Sequence, residues 1–81
     1  MKRIIKTPLQ LGPILKDLRK ENNLTQTQLS MESGLLQKTI SALENGNVRT
    51  SIDSLINYIN SCGYHLEFVK NENLNDSGAE W

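Results

Sequence analysis

The chain has 81 residues, 37% of them apolar, and nine basic side chains balance nine acidic ones to a net charge of zero. That length holds one small domain, whose folding buries only roughly 60% of the unfolded chain's surface, so a partner is expected to add stability. It excludes a membrane span, since no apolar run approaches ~18 residues, and a secretory signal, since the basic start carries too short an apolar stretch. With Cys62 and His65 the only residues of their kinds, an internal disulfide and a Cys/His metal site are excluded as well, and no cofactor is called for; a small cytoplasmic protein is expected.

Thr7 and Pro8 read as an N-cap followed by proline at the first helical position. Leu11, Ile14, Leu15 and Leu18 then share one helix face. Pro13 deletes a backbone donor there, so either the helix kinks or it begins near Leu11 with Pro13 in its first turn. Glu21, Asn22 and Asn23 end it. Residues 25–33 make a short second helix capped by Thr25, and Ser33 and Gly34 turn the chain tightly, Gly34 taking positive φ without steric cost. Residues 36–44 make a third helix, stopped by Asn45, Gly46 and Asn47. Thr50 is expected to cap a fourth, with Asp53 completing a variant capping box. Ile52, Leu55, Ile56 and Ile59 form its apolar stripe, Cys62 lies in line as a small core residue, and Gly63 ends it.

Beyond Gly63 the period falls to two. Leu66 and Phe68 alternate with His65, Glu67 and Val69, which predicts one β-strand after four helices. A lone strand leaves backbone N–H and C=O groups unpaired. Residues 2–6 offer one partner. The favoured one is the same strand of a second copy, so that Leu66, Glu67, Phe68 and Val69 pair across a two-fold axis. Residues 71–81 revert to polar types and are expected to be a disordered tail, leaving residues 1–70 as the domain. Trp81, at the end of that tail, either dangles or docks in a pocket on a partner, on the helical body or on a protease that recognises C-termini. Charge divides too: residues 1–50 hold eight basic side chains against four acidic, and residues 51–81 hold one against five. A basic half suits a polyanion.

Residues 25–44 have the composition of a helix-turn-helix. A glycine sits in the turn, with Leu29 before it and Leu35, Ile40 and Leu43 after it facing inward. Short polar residues stand outward at the start of the following helix. A helix fits the DNA major groove with its N-terminal residues toward the base edges. There Gln37 can pair bidentately with adenine, Lys38 can donate to guanine and Ser41 can donate or accept. Leu36 either packs on a thymine methyl or is a surface leucine. Thr25, Gln26, Thr39, Asn47 and Arg49 are candidates for phosphate contacts, which set register and make affinity fall with salt. Lys2, Arg3 and Lys6 either touch DNA backbone from a flexible arm or are simply solvated. No paired carboxylates, activated nucleophile or phosphate-cradling glycine loop is present, so enzymatic activity is not expected.

Residues 10–63 resemble the Xre/Cro/phage-repressor class of helix-turn-helix domains. The resemblance rests on Leu18-Arg19-Lys20, Leu24-Thr25-Gln26, Gln28-Leu29 and Leu43-Glu44-Asn45-Gly46. It implies a mainly α, four- to five-helix, lambda-repressor-like fold, with an ion pair between Arg19 and Glu44 clamping the first helix to the third. Thr7-Pro8 with Gln10-Leu11 upstream, the terminal strand and the polar tail ending in Glu80-Trp81 are similar to HipB-type antitoxins. That likeness implies a homodimer that binds palindromic double-stranded operator DNA, represses its own operon and binds a HipA-type serine/threonine kinase toxin away from the DNA face. Two departures stand out. The class usually has alanine where Ser30 stands and an aliphatic where Ser33 stands, and Ser33 forgoes ~1 kcal/mol of apolar burial. The same surface would also serve a phage- or plasmid-type repressor without a toxin, or a protein-binding module that has lost DNA.

Overall fold

The structure, a computed structural model, describes residues 3–47 and 49–71, and contains four helices: α1 (Pro8–Glu21), α2 (Gln26–Ser33), α3 (Gln37–Glu44) and α4 (Ile52–Ser61). The start of α1 is fixed by Gln10, whose side-chain oxygen accepts from the Thr7 N–H at 3.0 Å, with Pro8 as the first helical residue. The helix therefore begins at Pro8 rather than near Leu11. Pro13 lies inside it and is exposed to solvent. Asn23, at φ 57°, turns the chain out of α1.

Helix α1 packs on α3, α2 packs on α3 and α4, and α3 touches α4. The core they enclose is Leu15, Leu18, Leu29, Ile40, Leu43, Tyr58, Ile59 and Cys62, with Leu11, Ile14, Leu24, Leu35, Leu55 and Tyr64 partly buried against it. Gly12 lies where α1 meets the backbone at the end of α3. A Cβ there would lie 2.5 Å from the Glu44 carbonyl oxygen, so no larger residue fits without moving backbone.

Two expectations for α4 are corrected. Its cap is Ser51, which accepts from the Ser54 N–H at 3.1 Å, and not Thr50. The Thr50 hydroxyl is turned back to donate to the Asn47 carbonyl. Its inward stripe is Tyr58, Ile59 and Cys62, all buried, with Leu55 partly buried, whereas Ile52 and Ile56 are exposed. The apolar stripe read from the sequence does not include Tyr58. The fold buries it completely by giving its hydroxyl buried partners, and the face rotates to suit.

Residues 64–71 form no strand in the single chain, and residues 3–6 do not pair with them. Both segments meet the end of α1 instead: Tyr64 donates to Glu21 at 2.8 Å, and Arg3 pairs with the same carboxylate. Arg3 is thus placed against Glu21 and not on a free arm. Leu66, Phe68 and Val69 are exposed, Phe68 entirely. The expected tail beyond Asn71, Trp81 included, and Lys2 lie outside the described residues. Among the described residues no helix is long and apolar enough to cross a membrane.

Candidate nucleic-acid interface

The turn between α2 and α3 is built by side chains at both ends. Thr25 accepts from the Gln28 N–H at 3.1 Å, and Gln28 in return accepts from the Thr25 N–H at 2.8 Å, a reciprocal capping box that fixes where α2 starts. Gly34, at φ 81°, closes α2 with a bond to the Ser30 carbonyl. The two serines that depart from the usual pattern both bond to Leu35: Ser30 donates to its carbonyl at 2.5 Å, and Ser33 accepts from its N–H at 3.1 Å. Asn57 of α4 donates to the Ser33 carbonyl at 2.8 Å. What Ser33 loses in apolar burial is offset by hydrogen bonds that set the angle between the two helices.

Helix α3 is mounted on Ile40 and Leu43, both buried, and opens with Leu36 at its N-cap, one residue later than the sequence suggested. On its outer side Leu36, Gln37 and Lys38 are exposed, while Thr39 and Ser41 are half-buried. Gln37 is held from α2: the Thr27 hydroxyl donates to its Oε1 at 3.2 Å. Of the remaining candidates, Thr25 is exposed at the head of α2, and Gln26 beside it is half-buried. Asn47 and Arg49 follow α3, Asn47 Oδ1 accepting from the Arg49 N–H at 2.9 Å. The structure gathers all these residues onto α2, α3 and the segment just beyond.

Behind this surface lies a buried polar bracket. Arg19 Nε donates to Glu44 Oε2 at 2.6 Å and its NH2 group to Oε1 at 3.0 Å, a two-pronged pair between α1 and the last residue of α3. The third guanidinium nitrogen donates to the Leu24 carbonyl at 2.8 Å. Gln26 Nε2 adds a bond to Glu44 Oε1 at 3.1 Å, and the Tyr58 hydroxyl donates to Oε2 at 2.5 Å while lying 2.8 Å from the Leu15 carbonyl oxygen. Every helix therefore has a hold on one carboxylate. Burial works against the charge on Glu44, but the bonds from Arg19, Tyr58 and Gln26 outweigh it and hold its pKa below the ordinary carboxylate value. Burial first, and Glu44 next, push the Tyr58 hydroxyl well above its ordinary range, so it stays a donor.

Sequence reading located Arg19 and Glu44 through a resemblance, but missed Tyr58, the Gln26 bond to Glu44 and the Thr27 bond to Gln37. A tyrosine three residues after Leu55 in an otherwise apolar register was the available signal for the first. Tyr58→Phe keeps the ring and removes one donor to a buried charge. It is expected to cost about 1.5–3 kcal/mol, read as a lower urea midpoint with unchanged slope.

The chain matches the helix-turn-helix family model over residues 15–69. It is 30% identical over 76 residues to the antitoxin HipB of Escherichia coli O6:H1 (strain CFT073), covering 94% of this chain and 81% of that one. It is 28% identical over 76 residues to the antitoxin HipB of Escherichia coli K12, covering 94% and 86%. Solved structures of similar shape include a HipB–O2 20mer complex, at TM-score 0.78 and 27% identity over 86% of this chain and 97% of that one. A HipA–HipB–O2–O3 complex has the same TM-score and identity over 88% and 100%.

Proposed function

The chain belongs to the HipB-type antitoxins of the Xre/Cro helix-turn-helix family, and from that premise we propose that it binds operator DNA as a homodimer, represses its own operon and holds a HipA-type serine/threonine kinase toxin. The observation that carries this reading is the exposed ridge of Leu36, Gln37 and Lys38, with Ser41 one turn on, standing on a helix that the Glu44 bracket fixes to the rest of the fold. Similarity to HipB in complexes with O2 20mer and with HipA supports the choice of both partners.

In this mechanism α3 of each subunit enters a major groove, the two grooves lying one helical turn, about 34–36 Å, apart. Gln37, Lys38 and Ser41 read base edges, and Leu36 packs on a thymine methyl. Thr25, Gln26, Thr39, Asn47 and Arg49 hold phosphates. Gln26 does so with its backbone N–H and whatever its amide has left after Glu44. Two copies join through residues 66–69, whose exposed Leu66, Phe68 and Val69 gain burial, and whose unpaired backbone gains partners, when the segments pair antiparallel. The domain spans residues 1–70. The tail 71–81 carries Trp81 toward a pocket on a partner. The toxin occupies a surface away from α3, so repression and toxin binding coexist.

Lys38→Ala is expected to cost ~1–3 kcal/mol of binding to the DNA upstream of the gene and to relax preference at one base pair. Arg49→Ala is expected to weaken all sequences alike and to lower the slope of log affinity against log salt by about 1. Fluorescence anisotropy across a salt series reads both. If both variants bind like the parent, these residues do not face DNA.

A further inference from the structure

We infer that Thr27 decides which base Gln37 selects, an inference that rests on the DNA-reading role proposed for α3. Gln37 is the first residue of α3 and is exposed, as is Thr27 in the first turn of α2. Among the described residues their one side-chain bond runs between the two helices, from the Thr27 hydroxyl to Gln37 Oε1 at 3.2 Å. An amide has one acceptor end and one donor end. With its oxygen held by Thr27, Gln37 has its NH2 group left to donate.

That orientation changes the expected partner. A free glutamine suits adenine, accepting from N6 and donating to N7 at once. A glutamine whose oxygen is engaged offers donors, and guanine presents two acceptors, N7 and O6, on the same edge. Adenine's N6 amino group would face the amide NH2, donor against donor. Thr27 is therefore a positioning residue that sets specificity without touching the base, and it biases Gln37 toward guanine. Gln26, the neighbouring amide on α2, is held in the bracket by Glu44.

Thr27→Val keeps the shape and removes the hydroxyl, and Thr27→Ser restores the donor. Full-length parent and both variants are used to select from a pool of randomised duplex DNA, and each selected site is checked by competition binding. The expected result is a parent site with guanine favoured at one symmetry-related position. The valine variant moves preference there toward adenine by about fivefold or more, the serine variant keeps the parent's choice, and melting temperatures are alike because Thr27 is exposed. A valine variant that selects the parent's site overturns the inference while the DNA-reading role stands. Equal weakening on all sequences makes Thr27 a phosphate contact and also overturns it. A parent that enriches no site removes the DNA-reading role and the inference together.

Discussion

Replacing Glu44 with alanine is expected to cost about 3–5 kcal/mol of folding stability, because it leaves a buried guanidinium with no opposite charge. For a domain of this size that is most of what it has. Arg19 would keep the Leu24 carbonyl and Tyr58 the Leu15 carbonyl, but the link between α1, α2, α4 and the end of α3 would be gone. The contrast is Glu21, also paired with an arginine but at the surface. Its replacement by alanine is expected to leave the urea midpoint close to the parent's, because solvent screens an exposed pair. Acid gives a second reading of the same site. The Glu44 pKa is lowered in the folded state, so its contribution is fully present above the ordinary carboxylate value of about 4.3 and is lost as pH falls through the folded one. The parent should therefore lose stability steeply on acidification below about pH 4.3, and Glu44→Gln should start less stable and show a flatter acid limb. Urea unfolding followed by helix circular dichroism at several pH values checks both, and an alanine variant within about 1 kcal/mol of the parent would mean that the bracket does not hold the fold.

The four helices were legible because each carries its own punctuation: Thr7 before Pro8, Thr25 before Gln28, and Gly34, Gly46 and Gly63 at positive φ after α2, α3 and α4. Local signals of that kind act within a few residues and survive into the fold. The outward ridge on α3 was legible for the same reason, since Ile40 and Leu43 leave only one side for Gln37 and Lys38. What stayed hidden depends on pairs far apart in the chain. Whether Tyr58 is a surface or a core residue turns on Leu15 and Glu44 supplying partners. Whether Gln26 is free for phosphate turns on Glu44 lying beside it. The two-residue period at 64–70 expresses a capacity to pair, and a single chain supplies no second strand to pair with.

Gly12→Ala sets two effects of known sign against each other. Alanine in a helix interior gains about 1 kcal/mol over glycine. Against that, its Cβ would stand 2.5 Å from the Glu44 carbonyl oxygen, 3.1 Å from the Gly46 nitrogen and 3.2 Å from the Glu44 carbonyl carbon. All three are backbone atoms, so no change of rotamer relieves the clash, and α1 has to move away from the end of α3. The Arg19–Glu44 pair resists that movement, because it spans the same gap with bonds of 2.6 and 3.0 Å. Overpacking of this kind costs 1–3 kcal/mol, occasionally more, and with no soft atom to yield the upper part of that range applies. The expected net loss is about 2 kcal/mol. The loss should also reach the DNA surface, since whatever separates α1 from α3 tilts the helix that bears Gln37 and Lys38. Affinity for upstream DNA should fall at temperatures where the variant is still folded, unlike a loss caused by unfolding alone. Thermal melts paired with anisotropy measurements separate the two, and a variant as stable as the parent with unchanged affinity would show that α1 and α3 are free to part without disturbing the reading surface.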